Sequence, residues 1–500
     1  MQNLYVRLAL SGSLALISWV SGPWSCLAQS KSIDQDKSLD CAITVYNQNF
    51  GLVKDRRQFD LHQGINYVRF EDVAAGIDPT SVSFTSLKNP GDVVVREQNY
   101  EFDLMDQNSI LSKSVGKTIK IRRTANGNNS DVVTGVLLAP PQVTVADSDG
   151  NLSERLQSIL LKTPSGILIA PQGEVELAEL PEGLVAKPSL LWKIESAKST
   201  VDDAEIGYQT KGLNWKCDYV AVADDADGKL DLTGWVTLDN KSGASYKNTS
   251  LKLVAGDVHV VQNAQPMDMI QESLADNRGL AESSPQFQEQ SFAEYHLYSL
   301  QNRTDLPDNQ TKQLTLLQAN AVPVKKMFVL DAQDGMIQPY YEDQWSPPEA
   351  VKTKVNVKLE LANTKENNLG MPMPKGKVRV YKRDKDGALQ FVGEDNVDHT
   401  SKDEKLTLYL GDAFDVVGER KQTGFKKVSD NVQRSTYEIS VRNHKDQEIE
   451  VRCIEHASGY WKIIESSQPY DKKDSNTFEF KVKVPANGES KINYELELKY

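Results

Sequence analysis

Cysteine is scarce in this sequence, with four residues among 500. Cys26 lies in an apolar N-terminal segment, which leaves Cys41, Cys217 and Cys453 for the main part of the chain. Three scattered cysteines are too few for a disulfide framework, and their spacing excludes a zinc site built on a CxxC pair. At most one disulfide can join two of them, and the sequence leaves open whether it forms.

Sequence signatures of common catalytic sites are also missing. The chain has no GxSxG, P-loop or GxGxxG fingerprint, and its six histidines are isolated from one another. We therefore assign no catalytic residue, no cofactor and no metal ligand, and expect a non-enzymatic binding or structural protein. The alternative is a carbohydrate-active or other hydrolase whose carboxylates meet only in the folded chain.

Positive charge is in deficit. The 57 lysines and arginines against 70 acidic residues give a net charge of −13. This acidity argues against a nucleic-acid partner and against binding to an anionic membrane surface. Long apolar runs are absent after the first thirty or so residues, so we expect no integral membrane segment in the mature protein.

The N-terminal segment 1–28 has the layout of a secretory signal peptide. Its one charged side chain is Arg7, an apolar stretch covers residues 8–20, and a site with small residues ends at Ala28. We expect cleavage after Ala28 and export to the periplasm or beyond the cell. An uncleaved N-terminal anchor is the alternative.

Strand and turn signals are abundant. Asp-Gly and Asn-Gly dipeptides favour tight turns between antiparallel strands. They begin at residues 126, 149, 227, 334, 386 and 487. Alternating apolar and polar residues surround them, and no long helical period competes. We predict an all-β fold made of several antiparallel β-sandwich or small-barrel domains.

The pattern divides the mature chain into four units. Residues 41–111 are predicted to form an N-terminal β domain, and 112–190 a small module like an SH3 or Sm barrel, because its strands are short and closely spaced. Residues 191–434 are predicted to form the main β-sandwich, and 435–500 an immunoglobulin-like unit. Residues 262–293 lack apolar anchors, so we predict a mobile surface insertion there.

The stretch GYQTKGLNWKCDYV, residues 207–220, combines a lone cysteine with aromatic residues. On a strand, Trp215, Cys217 and Tyr219 share one face, while Lys216 points to the other. A catalytic cysteine needs an activating group nearby, and no nucleophile motif accompanies this one. We therefore interpret the aromatic face as buried core.

The segment DNVDHTSKDEK gathers four acidic residues and one histidine, namely Asp395, Asp398, His399, Asp403 and Glu404. A metal site is conceivable. However, the adjacent Asp398 and His399 diverge on a strand, and the spacing does not match HExxH. We interpret the segment as a solvated hairpin tip.

Tyr340, Tyr341 and Trp345 lie among prolines and acids, without flanking aliphatic residues that would make a core strand. Exposed aromatic residues of this kind form sugar-stacking or partner-binding edges. They are the candidate contacts for a partner, which we expect to be an envelope protein or a polysaccharide. The alternative is that they cover one end of the sandwich.

Several stretches share a pattern with one bacterial family. Among them are "AITVYNQNFGLVKDRRQFDLHQGINYVRFEDVAAGIDPTSV", "GYQTKGLNWKCDYV", "NNLGMPMPKGKVRVYKRDKDG" and "LGDAFDVVGERKQTGF". The chain resembles the family called domain of unknown function 4139 over most of its mature length. The resemblance implies a β-rich exported protein and supplies no catalytic residues. Some relatives, of the mucoidy-inhibitor type, carry a coiled coil that this sequence lacks.

Overall fold

The computed structural model describes residues 31–34, 37–102, 106–124, 130–146, 152–156, 158–181, 184–185, 187–256, 258, 286–292, 294–332, 336–338 and 349–500. Within them the chain forms 32 strands. In chain order these are β1 (Lys31–Ile33), β2 (Ser38–Tyr46), β3 (Phe50–Leu61), β4 (Gly64–Glu71), β5 (Ser83–Ser86), β6 (Val93–Glu101), β7 (Thr118–Thr124), β8 (Ser130–Ala139), β9 (Gln142–Ala146), β10 (Leu152–Leu156), β11 (Leu160–Thr163), β12 (Gly166–Ile169), β13 (Glu174–Glu176), β14 (Ser189–Ser196), β15 (Thr200–Lys211), β16 (Leu213–Ala223), β17 (Lys229–Asn240), β18 (Tyr246–Ala255), β19 (Phe287–Phe292), β20 (Tyr295–Leu300), β21 (Thr304–Leu306), β22 (Gln310–Asp331), β23 (Val351–Ala362), β24 (Gly376–Arg383), β25 (Leu389–Val397), β26 (Lys405–Ser429), β27 (Val432–Asn443), β28 (Ile449–His456), β29 (Tyr460–Ser466), β30 (Tyr470–Lys472), β31 (Thr477–Val484) and β32 (Gly488–Lys499).

The helices of the described residues include one α-helix, α1 (Gln107–Ser112), and two 3-10 helices, Pro79–Ser81 and Lys365–Asn367. The Asp106 side chain begins α1 by accepting hydrogen bonds from the backbone N–H groups of the first turn. The predicted all-β fold is therefore confirmed. None of the helices in this part of the chain is long and apolar enough to cross a membrane.

Turn dipeptides join several of the strands as the sequence predicted. Asp227-Gly228 lies between the paired strands β16 and β17, and Asp386-Gly387 lies between the paired strands β24 and β25. Asp227 has φ of 55° and Gly387 φ of 81°, the left-handed region that such turns require. The turn dipeptides that begin at residues 126, 149 and 334 include residues outside the described part of the chain.

The chain divides into two compact units. The first contains Phe59–Glu71, Asn89–Asp202 and the described part of Met1–Gln35. In it, β1, β4, β14 and β6 form one sheet in that order, and β12, β11, β8, β7 and β13 form a second sheet. The five-stranded sheet has its own core, made of Leu111, Ile119, Ile121, Leu137 and Leu161. The strands of this sheet lie between residues 118 and 176.

The second unit contains Asp36–Gln58, Asp72–Lys88 and Asp203–Tyr500. A long sheet runs through it in the order β25-β24-β16-β17-β22-β23-β26-β27-β32-β29. The 22-residue strand β22 pairs with β17 through its first half and with β23 and β28 through its second half. Strand β22 therefore connects the strands around β17 with those around β23 and β28.

The C-terminal part of the second unit packs around one apolar core. Its members from β27 onward include Tyr437, Phe478, Phe480 and Tyr494. Phe328 and Leu330 on β22, Val355 on β23 and Val416 on β26 belong to the same core. The region 435–500 therefore shares its interior with strands that come earlier in the chain, because β22 pairs directly with β28.

Two features of the fold differ from simple hairpin order. Parallel strand pairs among the described residues include β1–β4, β16–β24, β18–β2 and β22–β28. Parallel partners need long connections, so turn dipeptides do not reveal them.

Within the predicted insertion 262–293, Phe287–Phe292 form strand β19, which pairs with β20. Residues 262–285 and 293 lie outside the described part.

Candidate functional site

Strand β16 has the buried face that the sequence predicts. Trp215, Cys217 and Tyr219 are each at most 3% exposed, whereas Lys216 is exposed. The Trp215 indole N–H donates to the Val254 carbonyl oxygen at 3.2 Å, and its ring makes an edge contact with Tyr298. Apolar and polar residues alternate along β16, so every second side chain enters the core. The interpretation of this stretch as core is confirmed.

The three cysteine side chains that follow the N-terminal segment are not activated as nucleophiles. Cys41, Cys217 and Cys453 are all free and buried, so no disulfide joins any two of them. Burial raises the pKa of Cys217 to about 12 and that of Cys41 to about 12, and it raises the pKa of Cys453 as well. Because the thiolate is the nucleophile, a raised pKa leaves these buried thiols with little of the reactive form at neutral pH.

A solvent-open depression lies beside β16. Its volume is about 370 Å³. Nine residues line it: Lys216, Cys217, Asp218, Lys375, Gly376, Lys377, Asn396, Val397 and Asp398. They come from three segments that are distant in sequence. We call it the lysine depression, because three of its five charged residues are lysines.

The second wall of the lysine depression is the segment that leads into β24. The Tyr219 hydroxyl donates to the Pro374 carbonyl oxygen at 2.7 Å, and the Tyr298 hydroxyl donates to the Pro372 carbonyl oxygen at 2.9 Å. A proline has no backbone N–H, so its carbonyl oxygen is the backbone group that it can offer to a tyrosine hydroxyl. Two buried tyrosines therefore hold the lysine-bearing segment in place.

The third wall is the end of β25 and the residues after it. Met373 and Thr400 exchange backbone hydrogen bonds of 2.8 and 2.9 Å. The Lys375 backbone N–H donates to His399 Nδ1 at 3.2 Å, and Asp398 follows the last residue of β25. The segment of the predicted hairpin tip therefore supplies one side of the depression.

Ion pairs connect two lining residues, Asp218 and Lys377, to side chains outside the lysine depression. Arg379 contacts Asp218 at 3.4 Å and Glu394 at 3.5 Å, and Lys377 contacts Glu394 at 3.3 Å. Thr237 Oγ1 donates to the Asp218 carboxylate at 3.4 Å. Asp218 is thus engaged as a charged group that ties β16 to its neighbours.

The predicted acidic group does not converge on a metal centre. The Asp395 carboxylate accepts the backbone N–H groups of Tyr409 and Asn396 at 2.7 and 2.9 Å. Asp403 has φ of 66° and lies in the turn before β26. Among the residues that the structure describes, no three histidine, cysteine or acidic side chains are grouped to hold a metal ion. Asp395 instead accepts a hydrogen bond from the backbone of β26.

The lysine depression contains residues that the sequence did not single out. Lys375 and Lys377 flank Gly376 in the motif MPMPKGKV, where paired lysines around a glycine were the available signal. The sequence predicted Lys216 on the polar side of β16, but it did not predict which other segments of the chain lie beside this lysine. The predicted contacts Tyr340, Tyr341 and Trp345 lie outside the described residues.

Comparison with known proteins agrees with the resemblance seen in the motifs. No curated protein matches the chain. One family does match, over residues 204–500, which is more than half of the chain and includes all three walls of the lysine depression. The protein is therefore a member of the family described as Domain of unknown function (DUF4139).

Proposed function

We propose that this protein is an exported, non-enzymatic binding protein of the cell envelope and that the lysine depression holds an acidic ligand. The observation that carries the proposal is the gathering of Lys216, Lys375 and Lys377 at one depression of a chain with net charge −13. Local positive charge in an otherwise acidic protein favours an anionic partner at that place.

The ligand class follows from the other lining groups. Ammonium groups bind carboxylates or sulfates, while the Asn396 amide and the Asp398 carboxylate can hydrogen-bond to hydroxyls. An acidic polysaccharide presents both kinds of group along one chain. The open form of the depression suits a polymer that passes over the surface.

The groups that would perform chemistry are otherwise engaged, which favours binding over catalysis. Burial keeps the thiol of Cys217 protonated. Asp218 forms an ion pair with Arg379, and Asp395 accepts backbone hydrogen bonds. These side chains stabilise the arrangement of the strands.

Affinity electrophoresis through gels containing polygalacturonate tests the proposal. We expect retardation of the wild type in polygalacturonate but not in neutral dextran. The double variant Lys216→Ala with Lys375→Ala should bind about 10-fold more weakly, which corresponds to about 1.4 kcal/mol. Added salt should weaken wild-type binding, because the contacts are ionic.

The matched control removes two exposed lysines that lie outside the lysine depression. Lys252 on β18 and Lys352 on β23 meet this condition. Lys252→Ala with Lys352→Ala should bind as the wild type does. Equal retardation of both double variants, or no retardation of the wild type, would contradict the proposal.

A hydrolase is the second candidate, because Asp218 and Asp398 come from distant parts of the chain and line the same depression. Most glycosidases use a pair of carboxyl groups that flank the scissile bond. Release of reducing ends from polygalacturonate, abolished in both Asp218→Asn and Asp398→Asn, would establish it. Binding without such release supports the binding protein.

Export is supported by the signal-like layout of residues 1–28. Intact-mass analysis of the protein recovered from the periplasm or the medium should show a mature chain that begins at Gln29. Exported protein that keeps residues 1–28 would contradict cleavage, and retention of all the protein in the cytoplasm would contradict export.

A further inference from the structure

A second surface lies in the first unit, apart from the lysine depression. Strand β12 is the last strand of the five-stranded sheet and pairs with β11 alone among the described strands. Ile167 and Ile169 on this strand are 60% and 74% exposed. Two β-branched apolar side chains of this exposure on one edge strand are unusual, because exposed edges normally carry protective charges.

The backbone of β12 also has hydrogen-bonding groups that find no partner among the described residues. The Ala170 N–H donates to the Ile159 carbonyl oxygen at 3.0 Å, and Leu168 lies opposite Leu161. Bonded and non-bonded positions alternate along an antiparallel pair, so Leu168 and Ala170 bond towards β11. The N–H and C=O groups of Ile167 and Ile169 therefore point away from the sheet.

The two edges of this sheet are protected differently. At the opposite edge, β13 carries Glu174 and Glu176, and Glu176 forms ion pairs with Arg122 at 3.0 Å and Lys120 at 3.6 Å. From Thr163 to Gly173, by contrast, the chain has no charged residue. Of these two edges, and among the described strands, the β12 edge is thus the one open to the addition of another strand.

We propose that β12 pairs in antiparallel fashion with β12 of a second copy of this chain, about a two-fold axis through Leu168. In that register Ile167 lies opposite Ile169 of the other copy, and the reverse. The N–H and C=O groups of these residues then form four hydrogen bonds between the copies, which uses every outward backbone group of the two isoleucines. The exposed isoleucine side chains form cross-strand pairs on one face.

Symmetry favours a second copy over an unrelated strand. The outward groups are arranged equally on both sides of Leu168, so the edge is complementary to itself. Lys162 is the nearest charged residue on β11, and it lies opposite Ile167. Its counterpart in the other copy would be roughly 14 Å away or more, three strand spacings, where salt screens the repulsion.

The proposed pair is closed and weak. A two-fold contact uses both free edges, so it ends at a dimer and does not grow into a fibre. Four residues from each chain form a small contact, which is typical of transient association. We therefore expect reversible dimerisation in the micromolar to millimolar range.

Register-specific disulfide trapping on the full mature chain tests the pairing. The native cysteines are buried, so new thiols are the reactive ones. Ile167→Cys and Ile169→Cys are prepared as separate proteins. Mixing them under mild oxidation should give a cross-linked dimer on non-reducing gels, because residues 167 and 169 face each other. Each protein alone should cross-link much less, because identical positions are then more than 7 Å apart.

Sedimentation velocity measures association without cross-links. The wild type should show concentration-dependent dimerisation, and Ile167→Lys should be monomeric with unchanged circular dichroism. Val132→Lys is the control, because Val132 lies on β8 of the same sheet and is 45% exposed. A wild type that stays monomeric at millimolar concentration, an Ile167→Lys variant that still dimerises, or equal cross-linking of mixed and single proteins would overturn the proposal.

Discussion

Gly376 approaches Cys217 so closely that a β carbon at residue 376 would stand 2.1 Å from the Cys217 carbonyl oxygen. The two residues are direct partners in the parallel pair β16–β24. Any larger side chain at residue 376 must move the two strands apart. The glycine between Lys375 and Lys377 is thus what lets the lysine-bearing segment lie against β16.

Gly376→Ala should lower the free energy of unfolding by about 1–3 kcal/mol, because the added methyl group overpacks the strand pair. Chemical denaturation measures the change. Gly228→Ala is the control, since a β carbon there meets no atom within 4 Å. The control should lie within about 0.5 kcal/mol of the wild type. Equal midpoints for both variants would contradict the close approach.

Trp215→Ala should destabilise the protein by about 3–5 kcal/mol through lost burial and a cavity. The indole is 3% exposed and also loses its hydrogen bond to Val254. Thermal or urea unfolding reports the loss. Phe414→Ala, at a side chain that is 96% exposed, should change stability little. If Trp215→Ala melts with the wild type, the core interpretation fails.

Cys217 should resist a thiol reagent until the protein unfolds. Burial raises its pKa to about 12, so the reactive thiolate is rare at neutral pH, and the sulfur is shielded from the reagent. Labelling followed by mass spectrometry, with and without denaturant, gives the rates. Rapid labelling in the native protein would reopen the assignment of Cys217 as a nucleophile.

Acid should destabilise the C-terminal region through Glu479. Arg452 donates two hydrogen bonds of 2.6 and 2.8 Å to this carboxylate, and Lys473 lies 2.9 Å away. These cations lower the pKa of Glu479 to about 2. A folded-state pKa below the unfolded value of about 4.3 stabilises the fold above that pH, and the stabilisation is lost as pH falls towards 2.

Glu479→Gln should therefore lose part of the stability difference between pH 6 and pH 2 that the wild type shows, while costing about 1–3 kcal/mol at neutral pH. Urea unfolding at a series of pH values measures both effects. Glu450→Gln changes an exposed carboxylate on β28 and should keep the wild-type profile. A Glu479→Gln profile parallel to that of the wild type would refute the role of this ion pair.

Local patterns predicted much of the fold because they depend on neighbours along the chain. Alternation identified the buried side of β16, and Asp227-Gly228 and Asp386-Gly387 marked turns between paired strands. The same patterns identified Cys217 as a core thiol. A disulfide could not be settled in this way, because it depends on which strands bring two cysteines together.

The sequence by itself determined that this is a β protein, which side of β16 faces the core, and that no familiar catalytic motif is present. Only the tertiary structure decided that Lys216, Lys377 and Asp398 line one depression, because β16 and β24 are parallel partners joined through much of the chain. Such pairing depends on backbone contacts between distant segments, and no local pattern encodes it. The open edge at Ile167 was likewise decided by which strand came last in its sheet.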